Sequence, residues 1–88
     1  MRVNENFIVK KIGTELVLVP IGSMSVSLKA ILTLNETSLT VYEMIKEGKN
    51  KEEIIDKMVE EYEVSLEQVT NDVNKLISRF VELGVIYE

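Results

Sequence analysis

The hydrophobic period of this chain changes at one residue. In ILTLNETSLTVYEMI, residues 31–45, an apolar run stops at Asn35 and a spacing of three to four begins. A period near two belongs to a strand with one buried face, and the longer spacing belongs to an amphipathic helix. The chain before Asn35 reads as strand and the chain after it as helix. The expected class is α+β: a three-stranded antiparallel meander followed by three helices packed on it.

Residues 6–12, NFIVKKI, and 15–20, ELVLVP, flank Gly13-Thr14, a hairpin signal. The second run is apolar on both alternating faces, with Leu16 and Leu18 on one and Val17, Val19 and Ile21 on the other. That suits a central strand covered on both sides. Pro20 donates no hydrogen bond and marks a strand end or a bulge. After the turn signal Gly22-Ser23, a third strand is expected at about 26–34. Val26, Leu28, Ala30, Leu32 and Leu34 there alternate with Ser27, Lys29, Ile31 and Thr33. One face is apolar and the other mixed, as at the margin of a sheet.

Asn35 is a strong N-cap, Glu36 sits at the positive end of the helix dipole, and Leu34 with Leu39 forms a hydrophobic staple. Leu39, Tyr42 and Ile45 mark the inner face of the first helix, and Gly48 is its stop. The second helix starts after Asn50 with Glu53 in capping-box position, and Glu53–Lys57 is a favourable pair four apart. The third opens on Ser65 with Gln68, and Val64 with Val69 forms its staple. Leu66, Val69, Val73, Leu76, Ile77 and Phe80 then form one stripe, with Leu83 and Val81 on its opposite margins and Gly84 at the end. Val85-Ile86-Tyr87 reads as a short apolar tail.

Eighty-eight residues make one small domain, 1–88, and 45% apolar content suffices for a modest core. The chain has no Cys and no His. That removes disulfides, thiolate chemistry, the usual general base and the usual transition-metal ligands. The four glycines stand alone at turns, so no phosphate loop is present. Glu60, Glu61 and Glu63 read as a solvated acidic face; nothing desolvates one of them for acid-base work, and the spacing of a calcium loop is absent. These features point away from an enzyme and from any cofactor or metal. No run approaches the roughly 20 apolar residues of a membrane helix, and the N-terminus lacks a secretory core, so a cytoplasmic protein is expected.

Charge divides the same way as structure. Residues 1–34 hold four basic and two acidic groups, and residues 35–88 hold six basic and thirteen acidic. Strands beside three helices also suggest a winged helix-turn-helix, in which the third helix would enter DNA. Its exposed positions are Glu67, Gln68, Asn71, Asp72, Asn74, Lys75, Ser78, Arg79 and Glu82, a poor surface for phosphates. A DNA-binding regulator is therefore the alternative reading, and nucleic acid is not the expected partner. The third strand remains. An edge strand offers unpaired N–H and C=O groups, and only Lys29 blocks this one by charge. Either a loop, the tail or Lys29 suffices to protect it, or it is a docking edge for a peptide added as one more strand. Pairing of that edge with a second copy, giving a homodimer, is a third reading.

NFIVKKIGTELVLVPIG, LTLNETSLTVYEMI, KEEIIDKMVEEYEV and VTNDVNKLISRFVELGVI, in that order and spacing, resemble pyrroloquinoline quinone synthesis protein D (PqqD) from about residue 5 to 87. Leu34-Asn35-Glu36-Thr37 matches the strand-to-helix junction of that family, and Glu61-Tyr62 before Val64 and the closing Leu83-Gly84 also fit. One departure is Tyr42, near a place where many members carry Trp. The resemblance implies a recognition element for ribosomally made, post-translationally modified peptides, winged-helix-like but not DNA-binding. It implies that a precursor's leader peptide extends the sheet in a groove between third strand and third helix. A separate enzyme, often a radical S-adenosylmethionine maturase, then modifies the precursor. On that reading the strand residues are Lys29, Ala30, Ile31, Leu32 and Thr33. The helix contributes Asp72, Leu76, Arg79, Phe80 and Leu83. The opposite flank of the helix, with Thr70, Asn74 and Val81, is equally compatible with the sequence.

Overall fold

The computed structural model describes residues 1–21 and 32–87. Its elements are β1 (Arg2–Val3), β2 (Phe7–Ile12), β3 (Glu15–Pro20), β4 (Leu32–Leu34), α1 (Glu36–Lys46), α2 (Lys51–Tyr62), α3 (Leu66–Glu82) and β5 (Ile86–Tyr87). The expected third strand at 26–34 is present as β4 over its last three residues; its earlier part and the Gly22-Ser23 turn signal lie outside the described residues.

β2, β3 and β4 form an antiparallel sheet in that order. Phe7 pairs with Pro20 and Ile12 with Glu15, while Leu16 pairs with Leu34 and Leu18 with Leu32. Gly13, one of the two hairpin residues, has φ 63, a conformation that costs a Cβ-bearing residue. Residues directly opposite one another share a face. Phe7, Leu18 and Leu34 therefore lie on one side, and they join the core formed with Val41, Tyr42, Ile45, Ile54, Met58, Val73, Ile77 and Phe80. Val17, on the other side of β3, is also buried. Both faces of β3 are thus covered, as its unbroken apolar run requires.

Each helix begins where its polar cap places it. Asn35, Asn50 and Ser65 accept from the backbone N–H of Ser38, Glu53 and Gln68. Asn35 and Asn50 complete reciprocal capping boxes, the first with Ser38, which sequence reasoning did not assign. Glu53 spends its carboxylate on the Asn50 N–H at 3.0 Å, and Lys57 pairs with Glu61 at 3.4 Å, not with Glu53. The ends of α1 and α3 share one geometry. Gly48 donates to Ile45 O and Lys49 to Met44 O; Gly84 donates to Val81 O and Val85 to Phe80 O. These are Schellman closures, which satisfy the last carbonyls and need the positive φ that Gly48 and Gly84 have.

The α3 stripe buries Val69, Val73, Ile77 and Phe80, each contributing about 1.5–3 kcal/mol. Leu66 departs from expectation: in the first turn it is 60% exposed. The apolar tail departs as well. Ile86 and Tyr87 form β5, antiparallel to Val3 and Arg2 of β1. This two-stranded ribbon joins the two ends of the chain, and Ile86 enters the core.

Candidate functional site

β4 is three residues long, and its pattern Leu-Thr-Leu sends both leucines toward the helices. Leu34 is buried, Leu32 is half-buried and Thr33 is exposed. The strand ends because Asn35 turns the chain. Asn35 is still extended at φ −89, ψ 179, and its Oδ1 accepts from the Ser38 N–H at 2.8 Å and from the Ser38 hydroxyl at 2.6 Å. The Leu34–Glu36 corner is therefore rigid. On its inner side β4 pairs with Leu16–Leu18; on its outer side no strand lies among the described residues. A strand with one bonded side leaves every second N–H and C=O facing outward.

Of the sequence-predicted strand residues, Leu32 and Thr33 lie on this edge, and Lys29, Ala30 and Ile31 fall outside the described residues. The five α3 positions divide by depth. Asp72 and Arg79 are exposed, and Leu76 and Leu83 are half-buried. Phe80 is 0% exposed and meets the Tyr42 ring edge-on, centroids 6.1 Å apart. It is the floor beneath that flank and presents no surface of its own. Arg79 pairs with Glu82 at 3.7 Å, with both side chains more than half exposed, a contact worth about 0–1 kcal/mol that yields easily to another carboxylate.

The two flanks of α3 differ in their surroundings. Asp72, Val69 and Val73 line one pocket with Thr37, Met58, Tyr62 and Val64, enclosing about 140 Å³. Thr37 lies in the first turn of α1, three residues beyond β4, so the N-terminal part of α3 around Asp72 shares a pocket with the start of α1. The other flank holds Thr70, Asn74 and Val81. Asn74, expected in solvent, is half-buried, and its Oδ1 is enclosed without a hydrogen-bond partner. Sequence reasoning missed Thr37, Met58, Tyr62 and Val64 as pocket walls. The staple formed by Val64 and Val69 was the available signal, since it brings the α2–α3 turn down onto α3.

The pocket is large enough for roughly one benzene-sized group, judged against cavities known to take such a ring. Its wall is mostly apolar, with Thr37 and Asp72 as polar members. Among the described residues no three His, Cys, Asp or Glu side chains come together to hold a metal ion, and no helix is long and apolar enough to cross a membrane. What the site offers is backbone hydrogen-bonding groups beside a partly apolar helix flank.

A family model described as Coenzyme PQQ synthesis protein D (PqqD) matches residues 15–86. A solved structure, TbiB1 in complex with the TbiA(beta) leader peptide, is similar with a TM-score of 0.74 and 22% sequence identity, covering 93% of this chain and 90% of that chain. At that identity the likeness concerns the fold, and the leader peptide is what that other protein holds. No curated protein matches the sequence.

Proposed function

The chain belongs to the PqqD family, and from that premise we propose that it binds the leader peptide of a ribosomally synthesised, post-translationally modified precursor. The guest adds as a strand to the outer edge of β4 and lies against the Asp72, Leu76, Arg79 and Leu83 flank of α3. The role is non-catalytic: the domain, spanning 1–88 in the cytoplasm, presents the precursor to a separate modifying enzyme such as a radical S-adenosylmethionine maturase.

One observation carries the reading. The margin of the sheet at β4 has no described strand beyond it, and an apolar pocket between the helices reaches Thr37, in the first turn of the helix that follows β4. Backbone pairing supplies affinity with little sequence demand, and the pocket takes one apolar guest side chain for register. The solved neighbour's leader complex supports this by analogy of fold. The exposed face of α3 argues against DNA, since its two cations, Lys75 and Arg79, stand among the carboxylates Glu67, Asp72 and Glu82.

The test is a titration of isotope-labelled protein with the leader of a short precursor encoded beside its gene. Amide shifts confined to 26–34 and 69–83 are expected. Shifts confined to α2, or none at saturating leader, would overturn the proposal.

A further inference from the structure

The three-stranded sheet has a second margin. β2 pairs with β3 on one side only, and no described strand lies beyond its other side. It runs six residues, and five of them are exposed. Ile8 is 43% exposed, Val9 37% and Ile12 56%, which is unusual apolar exposure for one short strand. Between them stand Lys10 and Lys11, one on each face. Neither enters an ion pair among the described residues; the ion pairs there are Lys57–Glu61 and Arg79–Glu82.

We infer that the outer edge of β2 is a second docking edge, taken by an acidic, extended segment of the modifying enzyme while the leader occupies β4. Charge selects this occupant over a second copy. In an antiparallel β2–β2 pair around a twofold axis, the lysines of one copy fall within a residue or two of those of the other, so like charges crowd along one ladder. A strand carrying Glu or Asp among β-branched residues meets the same lysines with opposite charge and covers Ile8 and Ile12. β3 separates the two margins, about 10 Å across two strand spacings, so both can be filled at once. The pairing of the two edges rests on the leader-binding reading; the chemistry of the β2 edge stands without it.

The test uses a defined probe, the octapeptide Val-Glu-Glu-Val-Val-Glu-Glu-Val, whose adjacent carboxylates reach both faces, with the same peptide carrying Lys for Glu as its counterpart, added to the labelled full chain. The acidic probe is expected to shift Phe7–Ile12 amides saturably, and the basic probe to leave them unmoved. In the double variant Lys10→Glu, Lys11→Glu, affinity for the acidic probe falls about tenfold or more and the basic probe begins to bind. Equal binding of both probes, an unchanged affinity in the charge-reversed variant, or a concentration-dependent dimer that uses Phe7–Ile12 without any probe would each overturn the inference. Leader binding at β4 is read from separate amides, so loss of one edge's function is told apart from loss of the other's.

Discussion

Asn4 and Gly84 are eighty residues apart in sequence, and the Asn4 Nδ2 donates to the Gly84 carbonyl at 2.9 Å. The Asn4 backbone N–H donates to Val85 O at 2.8 Å, and its Oδ1 accepts from the Asn6 N–H at 2.9 Å. One buried amide thus holds the end of α3, the β1–β5 ribbon and the entry to β2 together. It fixes the far end of the flank on which the proposed guest lies.

Replacing Asn4 with Ala leaves the Gly84 carbonyl and the Asn6 N–H without that partner in a site 4% exposed. The expected loss is about 2–3 kcal/mol, or a melting temperature lower by roughly 10 °C or more in a chain this small. Asn4→Asp fares no better, because a carboxylate would face the Gly84 carbonyl. Thermal unfolding followed by circular dichroism checks both; a shift of under about 2 °C would show that the junction carries little.

Glu63 ends α2 at φ 49, in the left-handed region, without the glycine that closes α1 and α3. A Cβ there costs about 1–2 kcal/mol. The last turn of α2 also contains no basic residue, so a carboxylate at that end opposes the helix dipole. Glu63→Gly relieves both, against the extra chain entropy of glycine, and is expected to stabilise by about 0.5–1 kcal/mol. A rise in the urea midpoint at unchanged slope is the result to look for; a fall would show that the Glu63 side chain makes a compensating contact.

Much of this architecture is legible in sequence because its signals are local. Asn35, Asn50 and Ser65 cap where their side chains dictate, Gly48 and Gly84 stop where positive φ is needed, and the apolar run of β3 announces a central strand. What stayed hidden depends on distance. β1 and β5 are two residues each, too short to show a period, and they pair only because the core brings both ends of the chain together. The choice between the flanks of α3 is likewise tertiary. Helical spacing makes the Asp72 and Asn74 sides equivalent, and only the folded chain shows Asp72 lining a pocket with Thr37 while the Asn74 Oδ1 is enclosed. Glu53 was assigned two partners by sequence, and the cap prevailed over Lys57 because a backbone N–H at a helix start has no other acceptor.

Burial raises the Tyr42 phenol above its ordinary value of 10.0. Above pH 10 the unfolded chain releases this proton more readily than the folded one, so the folded state binds more protons and stability falls as pH rises. Below that value both forms are protonated and the residue contributes no pH dependence. Tyr42→Phe is expected to flatten the decline above pH 10 while leaving the neutral-pH stability within about 1 kcal/mol. Urea unfolding at a series of pH values reads the slope directly. An identical alkaline slope in the variant would assign the decline to other groups.

The proposed strand addition has a signature in β4 that side-chain contacts cannot mimic. Successive N–H groups along a strand point to opposite edges, so one of Leu32 and Thr33 donates toward β3 and the other outward. Leu32→Pro and Thr33→Pro therefore form a matched pair. One removes a ladder bond and destabilises the sheet; the other removes only an outward donor, which an edge tolerates. The variant that keeps its melting temperature is expected to bind leader about tenfold more weakly, the equivalent of roughly one backbone hydrogen bond. Thr33→Val serves as control, because it changes the exposed side chain and keeps the amide. If the folded proline variant binds leader as tightly as the parent while Thr33→Val does not, the guest is held through side chains and no strand is added.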